Sequence, residues 1–417
     1  IVTGVQTCAL PILMIKDKEK LGFWTFVFLW FGAAVSIAEI MTGGLIAPLG
    51  FKVGIIVILL GHLIGTGILI LGGIIGSREK VPAMTSTNIS FGVYSTYLFS
   101  ILNILQLIGW TAIMIKVAAS SVNLISQNLW NVSNVLVFIL LIGVLTILWL
   151  YFGNAGMKKL NITAVSLLFI LTLVLGSIIF KDKTLLTKAA TGGISFGGAL
   201  ELSIVMPLSW LPLIADYTRF AKSEKGGAYG SFIGYFIGSS WMFIIGLGAA
   251  IVSNNSDPSV MMLAANLGIA ALGIVVLSTV TTTFLDVYSA GVSFLNIVPK
   301  LGEKKIGIIM TVIGTLMAII IPMENYENFL YAIGSVFAPL FAVLITDYFI
   351  IKKNTKVKSD VLINWGAIFV WIIGIILYYW FIKLDFVLGA TMPDMVITGF
   401  IYLISWRMMS KWKLTIK

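Results

Sequence analysis

The sequence predicts an all-α integral membrane protein with twelve transmembrane helices, and three observations lead there. The 417 residues are 59% hydrophobic and 11% charged, with a mean hydropathy of +1.05, a balance that soluble domains of this size do not carry. Apolar runs of about 20 residues, the length that crosses a hydrocarbon core as a helix, recur from Leu21 to Trp406. The basic residues are sorted by those runs. With the N-terminus inside, 21 of the 27 Lys and Arg fall in inside segments, 5 fall outside, and Lys116 alone lies within a span. One span more or fewer would scramble that split.

The spans fall near 21–49, 52–76, 94–126, 132–152, 160–180, 197–220, 228–253, 262–295, 305–321, 329–351, 363–383 and 388–408, each bounded by charge, Gly/Pro or Asn/Ser clusters. Both termini are expected on the cytoplasmic side of a bacterial-type inner membrane. The lipid bilayer is then the partner that the basic loops face, and the pI near 9.5 needs no nucleic acid. The loops near 181–196 and 352–362 are too short for a soluble domain. Residues 1–13 begin without methionine, whereas Met14 is followed by a charged run from Lys16 to Lys20. This reads as a non-native leader ahead of a single domain, 14–417. One cysteine, Cys8, and one histidine, His62, leave no basis for a disulfide, a His-rich metal cluster or a redox cofactor.

Four charged residues, Glu39, Lys116, Glu201 and Asp286, sit inside apolar spans. A charge at that depth is costly unless it is paired or faces a cavity, so each is a functional candidate. The first span carries small and polar residues at mid-membrane, from Phe31-Gly32-Ala33-Ala34-Val35-Ser36 through Glu39 to the Gly43-Gly44 pair. Glycine loosens the helical ladder there, and freed carbonyls are tolerated only where they line protein or a cavity. Close packing through small residues explains that span equally well. The third span supplies Gln106, Gly109, Trp110, Thr111 and Lys116. Trp110 offers an indole face to a flat heterocycle, or simply packs. Lys116 is expected to balance one buried carboxylate, and His62 in the second span to be a satisfied packing residue.

The sixth span holds Pro207 and Pro212. Each removes a backbone donor and crowds the carbonyl four residues back, which predicts a break between Ser203 and Pro212. Interrupted helices opening two successive groups of five spans point to an inverted-repeat transporter with its site at the midplane. The eighth span, Ser278 to Gly291, gathers Thr279, Thr281, Thr282, Thr283 and Asp286. Those hard oxygens suit Na⁺ or a hydrogen-bonding substrate.

Six stretches in order, Met41-Thr42-Gly43-Gly44, Ser90-Phe91-Gly92, Ile108-Gly109-Trp110, Ile214 to Phe220, Tyr288-Ser289-Ala290-Gly291 and Ala338-Pro339-Leu340 with Asp347-Tyr348-Phe349, make the chain resemble the nucleobase-cation symporter family of cytosine permease and the bacterial hydantoin carrier. The resemblance runs from about Leu21 to Trp406 and is greatest to the hydroxymethylpyrimidine permease branch, called CytX. It implies a LeuT-type fold: a first repeat of five spans over about 21–180, an inverted repeat over about 197–351, and two additional helices over about 363–408. It implies substrate between broken spans one and six and spans three and eight, with Na⁺ at carbonyls near Gly32 and Val35 and hydroxyls among Thr281, Thr282 and Thr283. Trp110 takes the stacking position. Pro207 stands where the family has a second aromatic, so the sandwich is either incomplete or completed by Trp210, and Met114 stands where the hydantoin carrier has glutamine. Ser36, Met206 and the two carboxylates Glu39 and Asp286 complete the expected substrate set.

A 4-aminopyrimidine would donate its exocyclic amine to one of those carboxylates. The expected function is therefore import of a pyrimidine, hydroxymethylpyrimidine first, by cation symport and alternating access, with Na⁺ or a proton carried by Glu39 or Asp286 as the coupling ion. Cytosine, another nucleobase or an amino acid on the same fold is the alternative. A membrane-embedded transferase would need clustered acids of the DDxxD or HxxxxD kind, which the sequence lacks.

Overall fold

The computed structural model describes residues 20–181, 183–186, 190–264, 269–351, 361–409 and 413–415; the expected leader and the Met14 start lie outside them. The chain runs through α1 (Phe23–Ala34), α2 (Ile37–Leu45), α3 (Phe51–Glu79), the short α4 (Ala83–Ser86) and α5 (Asn88–Phe91), α6 (Val93–Trp130) and α7 (Val135–Ile179). It continues through α8 (Phe196–Leu208), α9 (Ile214–Thr218), α10 (Glu224–Ser253), α11 (Pro258–Ala264), α12 (Ile269–Ile297), α13 (Glu303–Ile320) and α14 (Tyr326–Ile345), which winds into a π-turn over Thr346–Ile351. Helices α15 (Trp365–Leu384) and α16 (Thr391–Met409) follow, with β1 (Val361–Asn364) and β2 (Lys413–Thr415) paired antiparallel around them.

Both expected interruptions are present. The axis turns by 60° between Phe23–Ala34 and Ile37–Leu49. Ser36 is extended, and its hydroxyl accepts the Glu39 N–H at 3.4 Å, so it caps a new helix in mid-membrane. The Ser36 N–H bonds Ala34 O at 2.9 Å instead of Gly32 O, the partner an unbroken ladder would give it. In the second half, Pro207 is the penultimate residue of α8 and Pro212 precedes the restart at Ile214. The irregular stretch is 209–213, at the C-terminal edge of the expected window, because a proline without an N–H stops the ladder only from its own position onward.

Exposed backbone at this depth needs partners, and α6 supplies them. Gln106 Nε2 donates to Ser209 O at 3.3 Å and to Asn103 Oδ1 at 2.9 Å; Asn103 Nδ2 donates to Pro212 O at 3.3 Å and to Ser293 Oγ at 2.8 Å. Helix α10 lies along α1 and α2 at backbone contact. A Cβ on Gly43 would strike the Phe243 backbone, and one on Gly246 would strike Ile40 O. Only glycine permits that approach.

Outward faces carry apolar stripes: Leu140, Val144 and Leu148 on α7, Ile372 and Ile376 on α15, and Val396, Phe400 and Ile404 on α16 are all exposed. Spacing by four places each set on one helix face, and an apolar surface of this extent fits lipid rather than water. Six described helices are long and apolar enough to cross a membrane, seven if the bent pair counts as one span. Of the twelve expected spans, the first, second, third, seventh, eighth, tenth and eleventh are in that set, the ninth and twelfth are helical as α13 and α16 but fall outside it, and the other three differ in two ways. The broken sixth span divides into pieces too short to count. Residues 135–179 form one continuous helix where two spans, 132–152 and 160–180, were expected, since helical backbone carries on through the polar stretch 153–159 that was read as a loop.

Candidate functional site

The two breaks face each other, and a small cavity lies between them, lined by Ser36, Ala38, Glu39, Trp110, Met114, Met206, Ser209, Trp210, Leu213, Thr282 and Asp286. Sequence reasoning named eight of these; Ala38, Ser209 and Leu213 were missed because they face inward only through the bend of their own segments. Pro207, Gly32, Val35, Thr281 and Thr283 do not line it. Pro207 faces α3 instead, where a Cβ on Gly65 would press on its ring. Pro207, expected among the substrate-binding residues, is thus not on the cavity wall, whereas Trp210 is.

The aromatic wall has two parts. Trp110 meets Phe329 edge-on at 5.4 Å between centroids and Tyr326 at 6.2 Å, so its indole is held at the edge and its plane is fixed. Trp210 packs edge-on to Trp30 at 5.6 Å, and Trp30 in turn to Tyr217 at 5.9 Å and Tyr235 at 6.1 Å. The cavity is small, so a six-membered ring enters only as its walls turn. Met114 and Met206 are unbranched and able to do so at little cost.

The buried acids divide by their partners. Glu39 Oε1 accepts from Tyr235 OH at 2.8 Å and Oε2 from Ser239 Oγ at 2.6 Å, which fixes its carboxyl on the α10 side of the cavity. Asp286 forms no hydrogen bond or ion pair with any described residue and faces the cavity. Glu201 lies elsewhere: Tyr378 OH, Ala390 N–H, Thr391 N–H and Thr391 Oγ1 all converge on it at 2.6–2.8 Å. It is an anchor between α8 and the start of α16. Lys116 is half-buried and pairs with none of the three, because Glu39 and Glu201 take their donors from neutral groups. His62 is satisfied at both ring nitrogens, by Ile58 O at 2.8 Å and Ser239 Oγ at 2.6 Å, and the second contact links it to Glu39. Ser239 and Tyr235 left no signal in the sequence. The Ser36-Ile37-Ala38-Glu39 spacing, a helix-start signature, would have located the first break.

The hydroxyls expected at the cation position differ in their partners. The hydroxyls of Thr279, Thr282 and Thr283 are buried with no hydrogen-bond partner among the described residues, whereas Thr281 Oγ1 bonds Leu277 O at 2.8 Å and Ser278 O at 3.1 Å. Unpaired buried oxygens are costly unless something meets them. The freed Gly32 carbonyl and the hydroxyls of Thr282 and Thr283 have the hard-oxygen chemistry Na⁺ takes; Thr281 gives its hydrogen to its own helix and keeps its lone pairs for the same chemistry.

Comparison with known proteins places this geometry. Residues 15–406 match the family model described as permease for cytosine/purines, uracil, thiamine, allantoin. The chain is 25% identical over 322 residues to the cytosine permease of Escherichia coli K12, covering 74% of each. Among solved structures it resembles Mhp1 in its inward-facing conformation, with a TM-score of 0.81 at 16% identity over 95% of this chain and 93% of that one. It also resembles a Na⁺-coupled sialic acid symporter, with a TM-score of 0.65 at 15% identity over 100% and 97%. These likenesses establish the LeuT-type fold, with its inverted pair of five-helix repeats.

Proposed function

The chain belongs to the family of permeases for cytosine/purines, uracil, thiamine and allantoin, and from that premise we propose that it imports a pyrimidine, hydroxymethylpyrimidine, by cation symport across a bacterial-type inner membrane with both termini cytoplasmic. Membership makes it a multi-pass permease rather than an enzyme. The observation that carries the substrate reading is the pairing, in one cavity between two broken spans, of the indole of Trp110 with the unpartnered carboxylate of Asp286.

A 4-aminopyrimidine stacks on the indole and donates its exocyclic amine to Asp286 in a charge-assisted bond, while a wall hydroxyl such as Ser36 meets the adjacent ring nitrogen. Ala38, Met114, Met206 and Leu213 give the remaining wall an apolar character. That supports a ring bearing a methyl group over one bearing a carbonyl in its place, which would need a donor there. Glu39, with both oxygens engaged, is the lesser candidate for the amine.

The coupling cation in this reading is Na⁺, met by carbonyls at Gly32 and Val35 and hydroxyls of Thr282 and Thr283. Ion binding at the join of α1 and α2 favours the bent arrangement that completes the substrate cavity, which is what coupling requires. The two broken spans rocking against the remaining helices would then alternate access.

The test is uptake in proteoliposomes under imposed Na⁺ or H⁺ gradients, with labelled hydroxymethylpyrimidine and cytosine in parallel. Gradient-dependent accumulation, greater for hydroxymethylpyrimidine, is expected. Likeness to cytosine permease favours a second reading, cytosine import, which a reversed preference would establish. Flat uptake of both would end the pyrimidine assignment.

A further inference from the structure

A chain of three side chains runs from the cavity into the protein. Glu39 lines the cavity, its Oε2 lies 2.6 Å from Ser239 Oγ, and Ser239 Oγ lies 2.6 Å from His62 Nε2. His62 is buried on α3 with its ring edge-on to Phe243 at 4.5 Å, and its Nδ1 is 2.8 Å from Ile58 O.

The protons of this chain can be counted. A carbonyl only accepts, so Nδ1 carries a hydrogen. Ser239 has one hydrogen and two short contacts. If it donates to His62 Nε2, its contact with Glu39 is a hydrogen bond only when Glu39 is a carboxylic acid that donates to Ser239 Oγ. If it donates to Glu39, its contact with Nε2 is a hydrogen bond only when His62 is imidazolium. Tyr235 OH donates to Glu39 Oε1 in either case. Both arrangements hold one proton more than a carboxylate beside a neutral imidazole. Without that proton, one of the two 2.6 Å contacts sets acceptor against acceptor, in a place where an unmade bond is costly.

We propose that Glu39, Ser239 and His62 form a proton-binding relay, separate from the threonine-lined cation position, that couples a proton to the transport inferred above. The proton is loaded at Glu39 from the cavity. In the transfer, the Glu39 O–H bond breaks as Ser239 Oγ takes that proton, and the original Ser239 O–H proton passes to His62 Nε2. Glu39 becomes a carboxylate and His62 an imidazolium, with the proton count unchanged.

The relay joins α2 of the first broken span to α10 and α3, so its bonding depends on how α2 lies against α10. The other titratable groups facing it are Tyr235 from α10, Tyr326 from α14, bonded to Thr42 at 2.8 Å, and Asp286 of α12 across the cavity. Among the described residues no lysine or arginine bonds to it, so neutrality at this site rests on the bound proton.

Two measurements test the relay. Infrared spectroscopy of the purified protein should show a protonated-carboxyl band that Glu39→Gln removes and Ser239→Ala shifts. In proteoliposomes with equal Na⁺ on both sides and an alkaline interior, the wild type should accumulate hydroxymethylpyrimidine with acidification of an entrapped pH dye. Ser239→Ala and His62→Gln should lower the ratio of pH-driven accumulation to counterflow exchange by about tenfold, and Ser239→Thr, which keeps the hydroxyl, should restore it. A carboxyl band untouched by Glu39→Gln, or an unchanged ratio in Ser239→Ala, overturns the relay. If the infrared changes occur but the wild type moves neither hydroxymethylpyrimidine nor cytosine, the proton site stands and the pyrimidine assignment falls.

Discussion

Glu201 and Thr391 hold α8 and α16 together: Glu201 Oε2 accepts the Thr391 N–H at 2.8 Å and Oε1 the Thr391 hydroxyl at 2.6 Å, with Ala390 N–H and Tyr378 OH completing the shell. The contact fastens the first half of a broken span to the terminal helices. Glu201→Ala would leave four buried donors unmet, and a loss of at least about 3 kcal/mol is expected. Glu201→Gln should cost less, because one oxygen still accepts. Thermal unfolding of the purified variants checks the order.

Asp286 lines the cavity without a protein partner among the described residues. Asp286→Asn keeps one acceptor oxygen but removes the charge, so the bond from the exocyclic amine of the substrate is no longer charge-assisted. Uptake should fall by at least about tenfold, the effect of one lost charge-assisted bond. The melting temperature should hardly change, since no internal bond of Asp286 is lost. A variant with wild-type uptake and wild-type pyrimidine preference would remove Asp286 from the site.

Gly246 lies against the backbone of Ile40, and an added methyl there would strike the carbonyl oxygen. Gly246→Ala should therefore push α10 away from α2 and destabilise the protein by about 2 kcal/mol, as overpacking typically does. Gly67 is a control on α3: a Cβ there meets nothing within 4 Å, so Gly67→Ala should be neutral or slightly stabilising through helix propensity. Melting curves of the pair decide it.

The buried hydroxyls of Thr282 and Thr283 have no partner among the described residues. Thr282→Val with Thr283→Val keeps shape and removes both oxygens, so dependence of uptake on external Na⁺ should move to concentrations at least about tenfold higher. Thr281→Val should shift that dependence less than the double variant, because it removes one oxygen rather than two. Titration of uptake against Na⁺ for the three proteins separates them.

Where the sequence was legible, local chemistry made it so. Pro207 and Pro212 announce a break because a missing N–H acts within one turn. Trp110, Glu39 and Asp286 stand out because bulk and charge are rare in apolar spans. Gln106 and Asn103 were harder to read: nothing near them shows that their amides hold Ser209 O and Pro212 O, more than 100 residues away. The balance expected between Lys116 and a carboxylate failed for the same reason, since neutral donors from distant helices had already met Glu39 and Glu201.

By itself the sequence determined that the chain is a helical membrane protein with two interrupted spans, since hydropathy, proline and the spacing of charge are properties of single segments. Only the tertiary structure decided what each acid does. Glu39 meets Tyr235 and Ser239, Glu201 meets Tyr378 and Thr391, and Asp286 meets the cavity. A carboxylate in an apolar span has the same local chemistry in all three places. What separates an anchor from a carboxylate on a cavity wall is which donors helix packing brings within hydrogen-bonding distance.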